Sequence, residues 1–283
     1  MTVLVTGARG MIGSHLVKAL LDAGHRVVGV GRSGSELAEG NYRYIRADLA
    51  DRDRLRAIVE ENRVDRIIHL AALAHSENEK DLSWERYRHI NLDCAVNVFD
   101  AAGDRPVLYI STVDVFGFYD GKEPVSGESA IRPVSKYGKS KALAEAACRK
   151  LKHYSIFRLS PVYTDTIKRD IQKRYYLKYP RIAYQIGGGT SFEILSIDNA
   201  VAAMVAWCGE EPGNDIRIVK DPSPMWTPDY IRAERAAGRA GTVLRFPRWM
   251  VNAGYAVLKG ILGENEKTYL LNKAVHPLRS RES

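Results

Sequence analysis

Two side chains with complementary acid–base chemistry stand four residues apart, Tyr137 and Lys141 in the segment Y-G-K-S-K. On a helix that spacing places both on one face. An unperturbed phenol titrates near about pH 10. A neighbouring ammonium favours its phenolate and lets it act as an acid or base nearer neutrality. Such a pair alone is common by chance. Its weight comes from the apolar run V-L-Y-I-S-T, which ends at Ser111 and Thr112. In a parallel sheet, a hydroxyl at a strand's C-terminal end faces the ligand crevice. There Thr112 can bond a substrate hydroxyl or carbonyl beside the tyrosine.

The chain opens on a strand that runs directly into T-G-A-R-G-M-I-G and then a helical pattern. Gly7 allows the sharp turn out of the strand, Gly10 lets a pyrophosphate approach the backbone, and Gly13 lets the helix pack closely. Arg9, Met11 and Ile12 complete this turn, whose free N–H groups and helix dipole favour an anion. The position and context are those of a dinucleotide-binding turn. A positively charged nicotinamide would add to the ammonium in favouring the Tyr137 phenolate, and Lys141 can hold the cofactor's ribose.

The second strand ends at Gly31-Arg32-Ser33, with no acid to bind adenosine ribose hydroxyls. Arg32 can pair with a 2′-phosphate and Ser33 can donate to it, which favours NADP over NAD. An exposed loop arginine is the alternative. Asp48, followed by Leu49 in A-D-L, is placed to bond the adenine amino group.

These residues need a scaffold. Strand-like runs at 3–6, 26–30, 42–46, 66–70, 107–111 and 155–158 alternate with helical spacing at 11–23, 52–62, 82–102 and 135–152. The alternation predicts an α/β, Rossmann-type doubly wound parallel sheet. Residues 1–160 form the expected dinucleotide-binding domain, with 193–220 returning to it, and 161–283 supply most of a small C-terminal substrate-binding cap. Helices are expected over 198–208 and 228–237. The apolar segment 246–262 is too polar for a confident membrane span. It reads as a cap helix, a helix on a partner subunit or an interfacial helix.

With 283 residues, 45% of them hydrophobic, the chain can bury a sizeable core. It lacks a bilayer-spanning apolar run and an export-type N-terminus, which suggests a cytoplasmic protein. Cys94, Cys148 and Cys208 are few, odd in number and widely spaced. They read as reduced packing residues, and neither a disulfide framework nor a metal site is expected. The net charge of +8 is concentrated beyond residue 165, from Lys168, Arg169, Lys173, Arg174, Lys178 and Arg181 to Arg232, Arg235, Arg239, Arg245 and Arg248. A phosphate-bearing substrate, an anionic surface or a solvated face can account for it. Contact with a membrane surface is the less favoured of these. Nucleic acid is not expected, since no nucleic-acid module accompanies the charge.

The ordered motifs T-G-A-R-G-M-I-G, A-D-L, H-L-A-A, I-N-L-D, S-T-V-D-V-F-G, Y-G-K-S-K, F-R-L-S-P-V-Y and L-S-I-D-N-A span about residues 1–210. Together they resemble the NAD-dependent epimerase/dehydratase family, the extended short-chain dehydrogenases. The resemblance implies a nicotinamide cofactor, a nucleotide-sugar substrate and a Thr112, Tyr137, Lys141 triad. It also implies cofactor contacts from His69, Leu70, Ala71, Ala72, Asn91, Ser111, Pro161 and Val162. Asn91 can alternatively be a helix-buried amide bridging to a loop. Pairing of helices 82–102 and 135–152 in a four-helix bundle, and hence a homodimer, is a further implication.

Three departures qualify the resemblance. Phe192 occupies the slot where many nucleotide-sugar enzymes carry a diphosphate-gripping arginine. Arg169, Lys173 or Arg174 would have to do that work, or the substrate carries no diphosphate. Of the two acids that follow the threonine in dehydratases, the first slot holds Val113 and only the second keeps an acid, Asp114. The segment after V-H-P-L-R-S is short, which makes the cap compact. The expected activity is a nucleotide-sugar epimerase or 4-keto-reductase working by tyrosine-assisted hydride transfer. The alternatives are a dehydratase, with Asp114 as a substrate-site acid, and a non-catalytic NAD(P)-sensing protein.

Overall fold

Strand β1 (Thr2–Thr6) is buried at every residue, and its side chains go to opposite sides of a sheet. Val3 and Val5 pack with one apolar cluster and Leu4 with the other. Burial on both faces is what an apolar parallel strand requires. The architecture is that of a computed structural model, described over residues 1–74, 83–177 and 182–281; of Arg169 only the backbone is described. Lys178, Arg181 and the start of the helix expected at 82 lie outside the described residues.

From β1 the chain runs through α1 (Met11–Asp22), β2 (Arg26–Gly31), β3 (Leu37–Glu39), β4 (Tyr42–Arg46), α2 (Arg52–Glu61) and β5 (Arg66–His69). Next come α3 (Trp84–Arg88) and α4 (Cys94–Ala102), joined by a π-helical turn at His89–Asp93, then β6 (Val107–Thr112), α5 (Lys136–Cys148) and β7 (Tyr154–Leu159). The remainder contains β8 (Val162–Tyr163), α6 (Arg169–Gln172), β9 (Ile182–Ile186), β10 (Ser191–Phe192), β11 (Leu195–Ser196), α7 (Ile197–Cys208) and β12 (Asn214–Val219). It closes with β13 (Met225–Trp226), α8 (Thr227–Ala236), β14 (Thr242–Phe246), α9 (Arg248–Leu262) and α10 (Glu266–Val275).

Eight strands form one sheet in the order β12-β7-β6-β5-β1-β2-β4-β3. Every pairing is parallel except β3 with β4. The chain winds outward in one direction from β1 and in the other from β5. The glycine turn that follows β1 therefore lies at the topological switch point, where open α/β sheets bind ligands. Helices α2, α4 and α5 cover one face through Leu55, Val98 and Ala144, and α1 and α7 cover the other through Leu16, Leu20, Met204 and Trp207. A third cluster, including Ile171, Tyr175, Phe192 and Ile231, lies among the elements that follow β7. All three cysteines are free and buried.

The sequence patterns locate the six inner strands and the helices between them closely, but not the edge strands β3 and β12 or the short elements β8, α6, β10, β11 and β13. The helix expected as one unit up to residue 102 carries the π-helical turn, β9 and β14 pair in a small parallel sheet, and α10 falls where no helix was expected. Asn265 starts α10 through a capping box with Thr268. That reciprocal pairing satisfies orphan backbone donors at the helix start.

Candidate active site

One cleft of about 990 Å³ runs from the glycine turn across the sheet mouth to the cap and α10. At its first end lie Gly7, Gly10, Met11, Ile12 and Gly13. Gly7 has φ +68°, and an added Cβ would stand 3.0 Å from the Ala71 backbone. A Cβ on Gly13 would lie 2.1 Å from the Gly7 carbonyl oxygen, so α1 starts pressed against the turn. No side chain caps α1, and no acid lies in its first turn. Its leading N–H groups are thus available to an anion in the cleft, so the residues present fit a dinucleotide's pyrophosphate.

Mid-cleft, Thr112, Tyr137 and Lys141 line the same space with Leu70, Ala72, Pro161 and Val162. Ser135 caps α5 by accepting from the Gly138 N–H at 2.9 Å, which sets Tyr137 in the first turn. Thr112 Oγ1 accepts from the Asp114 N–H at 3.2 Å. Lys141 is buried, with Nζ 4.2 Å from the Tyr109 ring centre. Burial pulls its pKa down to about 7, partly opposed by Glu145. Burial and then the Asp114 charge push the Tyr137 phenol well above its ordinary value. The chain alone therefore does not lower the phenol through Lys141 as its spacing suggests. Desolvation and the neighbouring Asp114 carboxylate both disfavour the phenolate, and the ammonium is itself weakened by burial.

Behind these groups is a buried polar frame. Arg158 and Glu145 pair at 2.7 Å with essentially no exposure, and Ser111 Oγ donates to Glu145 at 2.6 Å. Ser111 borders the cleft, but its hydroxyl is committed to α5. Asn91 does not line the cleft: its amide accepts from Leu73 N–H at 2.7 Å and donates to Leu73 O and Ser140 Oγ. The bridging alternative describes its geometry, and the π-helical turn points it inward. His69 bonds Thr6 through Nδ1 at 2.8 Å, and burial lowers its pKa to about 3, which keeps it neutral.

Asp114 is engaged on several sides. Tyr269 donates to its Oδ1 at 2.8 Å, Lys273 pairs with the same oxygen, and Ser135 donates to Oδ2. Burial opposes ionisation, but the Lys273 charge and these donors win and hold its carboxyl below the usual range. It is therefore a carboxylate anchored to α10, poorly suited to protonate a leaving hydroxyl. Sequence reasoning missed Tyr269 and Lys273, together with Glu266, which accepts from the Lys136 N–H at 3.3 Å. The N-E-K-T capping pattern at 265–268 was the available signal.

At the cap end, the Arg174 guanidinium lies 4.9 Å from the Phe192 ring centre. Burial lowers its pKa. Among the described residues, Arg174 makes no side-chain hydrogen bond or ion pair. Lys173 also lines the cleft, but it pairs with Asp170 at 2.8 Å. The Arg169 side chain lies outside the described residues.

At the adenosine end, Arg9 stacks 3.9 Å from the Tyr44 ring centre and donates to Ser35 O at 2.7 Å, across the tip of β2. Tyr44 donates to Ser33 O at 2.7 Å. Arg32 and Asp48 are exposed beside this tip, with Asp48 accepting from the Ala50 N–H at 3.0 Å. Leu49 is buried in the core. Arg9, Arg32, Ser33, Asp48, Leu49 and Ala71 do not border the cleft itself.

A sequence profile described as the NAD dependent epimerase/dehydratase family matches residues 3–204. The chain belongs to that family. A UDP-glucose 4-epimerase from Oryza sativa subsp. japonica is 32% identical over 167 residues, covering 54% of this chain and 45% of the rice protein. The UDP-glucose 4-epimerase of Drosophila melanogaster is 31% identical over 177 residues, covering 53% and 48%. The family member thus spans less than half the length of these curated relatives. Among solved structures, the Bacillus cereus UDP-glucuronic acid 4-epimerase with UDP-glucuronic acid and NAD superposes with a TM-score of 0.67 at 23% identity, over 87% of this chain and 86% of that one. The Campylobacter jejuni UDP-Glc/GlcNAc 4-epimerase gives 0.72 at 18% identity, over 87% and 86%. These likenesses establish the Rossmann-type fold. Among the described residues no helix is long and apolar enough to cross a membrane, and no cluster of metal-ligating side chains occurs.

Proposed function

We propose that the protein is an NAD(P)-dependent nucleotide-sugar 4-epimerase in which Tyr137 exchanges the proton of a sugar hydroxyl. The carrying observation is the single cleft, with an uncapped helix start at one end, Thr112, Tyr137 and Lys141 in the middle, and an unpaired arginine at the other. The bound nicotinamide would accept and return a hydride and supply positive charge beside Tyr137. The Thr112 hydroxyl orients the reacting sugar oxygen, and Tyr137 takes and returns its proton. Lys141 holds the cofactor ribose. Arg174, seated on Phe192, takes the part of the family arginine replaced at position 192 and grips the diphosphate. The curated 4-epimerase relatives support this choice of reaction.

A second reading, an NADP-dependent 4-keto-reductase, is supported by the β2 tip. Arg9 lies against the segment Gly31–Ser35, which contains Arg32 and has no carboxylate of its own to repel a 2′-phosphate. Dehydration is the weaker chemistry, because Asp114 is held as an anion. A division into residues 1–160 with 193–220 and a cap from the rest, and a homodimer through α4 and α5, are parts of the same proposal.

Purified protein supplied with NAD or NADP and a panel of UDP- and dTDP-sugars is expected to interconvert one pair of 4-epimers without net cofactor consumption. Tyr137→Phe is expected to lower that rate about 10²–10⁴-fold. Stoichiometric NADPH oxidation would transfer the assignment to the reductase. Absence of hydride exchange with every substrate would refute both.

A further inference from the structure

Helix α9 is built inside out. Apart from Arg248 at its start and Asn252, every exposed residue is apolar or glycine. Trp249 is 72% exposed, Val257 60% and Ile261 74%, with Met250 and Leu258 beside them. Only Val251, Tyr255 and Lys259, four residues apart, are partly covered. The polar groups turn towards the protein. Arg248 donates to Gly189 O at 2.6 Å, Tyr255 accepts from Asn272 at 3.1 Å, and Lys259 pairs with Glu264 at 2.8 Å. Ordinary surface helices do the reverse and bury their apolar stripe.

We propose that α9 seats the protein on an anionic lipid bilayer, lying in the interface plane without crossing it. Three observations choose this occupant. Residues 240–281 carry seven basic side chains, Arg245, Arg248, Lys259, Lys267, Lys273, Arg279 and Arg281, against two acids, Glu264 and Glu266, within a chain of net charge +8, which complements anionic headgroups. Two copies meeting through the same face would instead bring these cationic segments together. Second, the helix has 15 residues, short of the roughly 20 needed to span, and its large apolar residues with a Trp near one end suit the acyl–headgroup boundary. Third, the apolar surface continues onto α10, where Leu270 is 67% exposed and also lines the cleft. Docking therefore sets one wall of the cleft beside the bilayer. The proposal concerns the partner of this surface and stands whichever reaction the cleft performs.

The full chain is mixed with phosphatidylcholine vesicles, with or without phosphatidylglycerol, and sedimented. Wild-type protein is expected to pellet with the phosphatidylglycerol vesicles, less with phosphatidylcholine alone, and less as salt rises. The double variant Val257→Asp/Ile261→Asp, at exposed positions, is expected to partition at least about tenfold more weakly while retaining dinucleotide binding. A measurement on unsubstituted protein guards against a misfolded variant: brominated acyl chains should quench tryptophan fluorescence, and Trp249→Phe should remove most of that quenching. The proposal fails if wild-type protein stays in the supernatant with both vesicles. It also fails if the double variant binds as well as wild type. A wild-type dimer that the double variant dissociates, without vesicle binding, would assign the face to a second copy.

Discussion

Replacing Arg174 by Met separates a ligand-binding arginine from a structural one. The guanidinium rests on Phe192 at 4.9 Å, and burial lowers its pKa, partly opposed by Tyr184, Tyr269, Asp170 and Asp114 without a direct hydrogen bond or ion pair among the described residues. A half-buried cation of this kind costs some folding energy, because the hydration it loses against Phe192 is only partly replaced. Methionine has similar reach and no charge, so Arg174→Met is expected to leave stability unchanged or raise it by about 1–4 kcal/mol. Binding should respond in the opposite direction. A diphosphate held by a guanidinium fork accepts two charge-assisted hydrogen bonds, each contributing about 1.5–3 kcal/mol. Losing both weakens affinity by about 3–6 kcal/mol, or roughly 10²–10⁴-fold at 1.4 kcal/mol per decade. Calorimetric titration with UDP measures the loss, and thermal melting of the free protein measures the gain. Arg174→Lys should fall between, since it keeps the charge and loses the fork. A variant that melts several degrees lower yet binds UDP as wild type does would refute this reasoning and make Arg174 a structural cation.

The other expectations concern charge in the same cleft. For Lys141, the folded pKa of about 7 lies below the ordinary 10.5, so the unfolded chain binds the extra proton between those values. Its contribution to the free protein's stability therefore rises with pH across that window and is lost as pH falls through about 7; Lys141→Met should flatten this rise in denaturant midpoint and abolish turnover. Lys273→Met should destabilise by about 1–3 kcal/mol, less than for a fully buried pair, because Lys273 remains 29% exposed. A double-mutant cycle with Asp114→Asn isolates that coupling. Arg32→Asp should raise the Kd for NADP at least about tenfold and leave NAD binding unchanged or tighter, as read by fluorescence titration.

The sheet was legible because its strands are apolar runs bounded by turn residues and its helices repeat every three to four residues. Tyr42–Arg46 and the start of α1 at Met11 fall where the pattern puts them. The first end and centre of the cleft were legible for the same reason: Gly7, Gly13, Thr112 and Tyr137 are set by the local geometry of strand ends and helix starts. Contacts made at long sequence range were not. Asp114 reads as a turn acid until Tyr269 and Lys273, 155 and 159 residues later, are folded onto it. The basic excess beyond residue 165 likewise divides only in three dimensions: Arg232 and Arg239 pair with Asp229 and Glu234, whereas Arg174 lines the cleft without a hydrogen bond or ion pair among the described residues.

The family match ends at residue 204, yet the reacting centre depends on chain beyond it. Glu266 meets the first backbone N–H of α5, Lys273 and Tyr269 fix Asp114, and Asp114 in turn receives the Ser135 hydroxyl that caps the helix carrying Tyr137. A shift of α10 would therefore be felt at the phenol through two shared contacts, without any change in the motif residues themselves. Helix α9 packs on this same α10, so the surface that faces a bilayer and the frame that orients Tyr137 are mechanically one hairpin. If docking moves that hairpin, the effect should appear as a change in kcat, because Tyr137 and Thr112 must meet the reacting oxygen in one geometry. If docking serves only to concentrate protein at the membrane, kcat should be identical with and without vesicles. Measuring it in both conditions with a soluble substrate distinguishes a lever from an anchor, and the two separate contacts from α10 to the start of α5, Glu266 on the Lys136 N–H and Tyr269 with Lys273 through Asp114 on Ser135, argue for the lever.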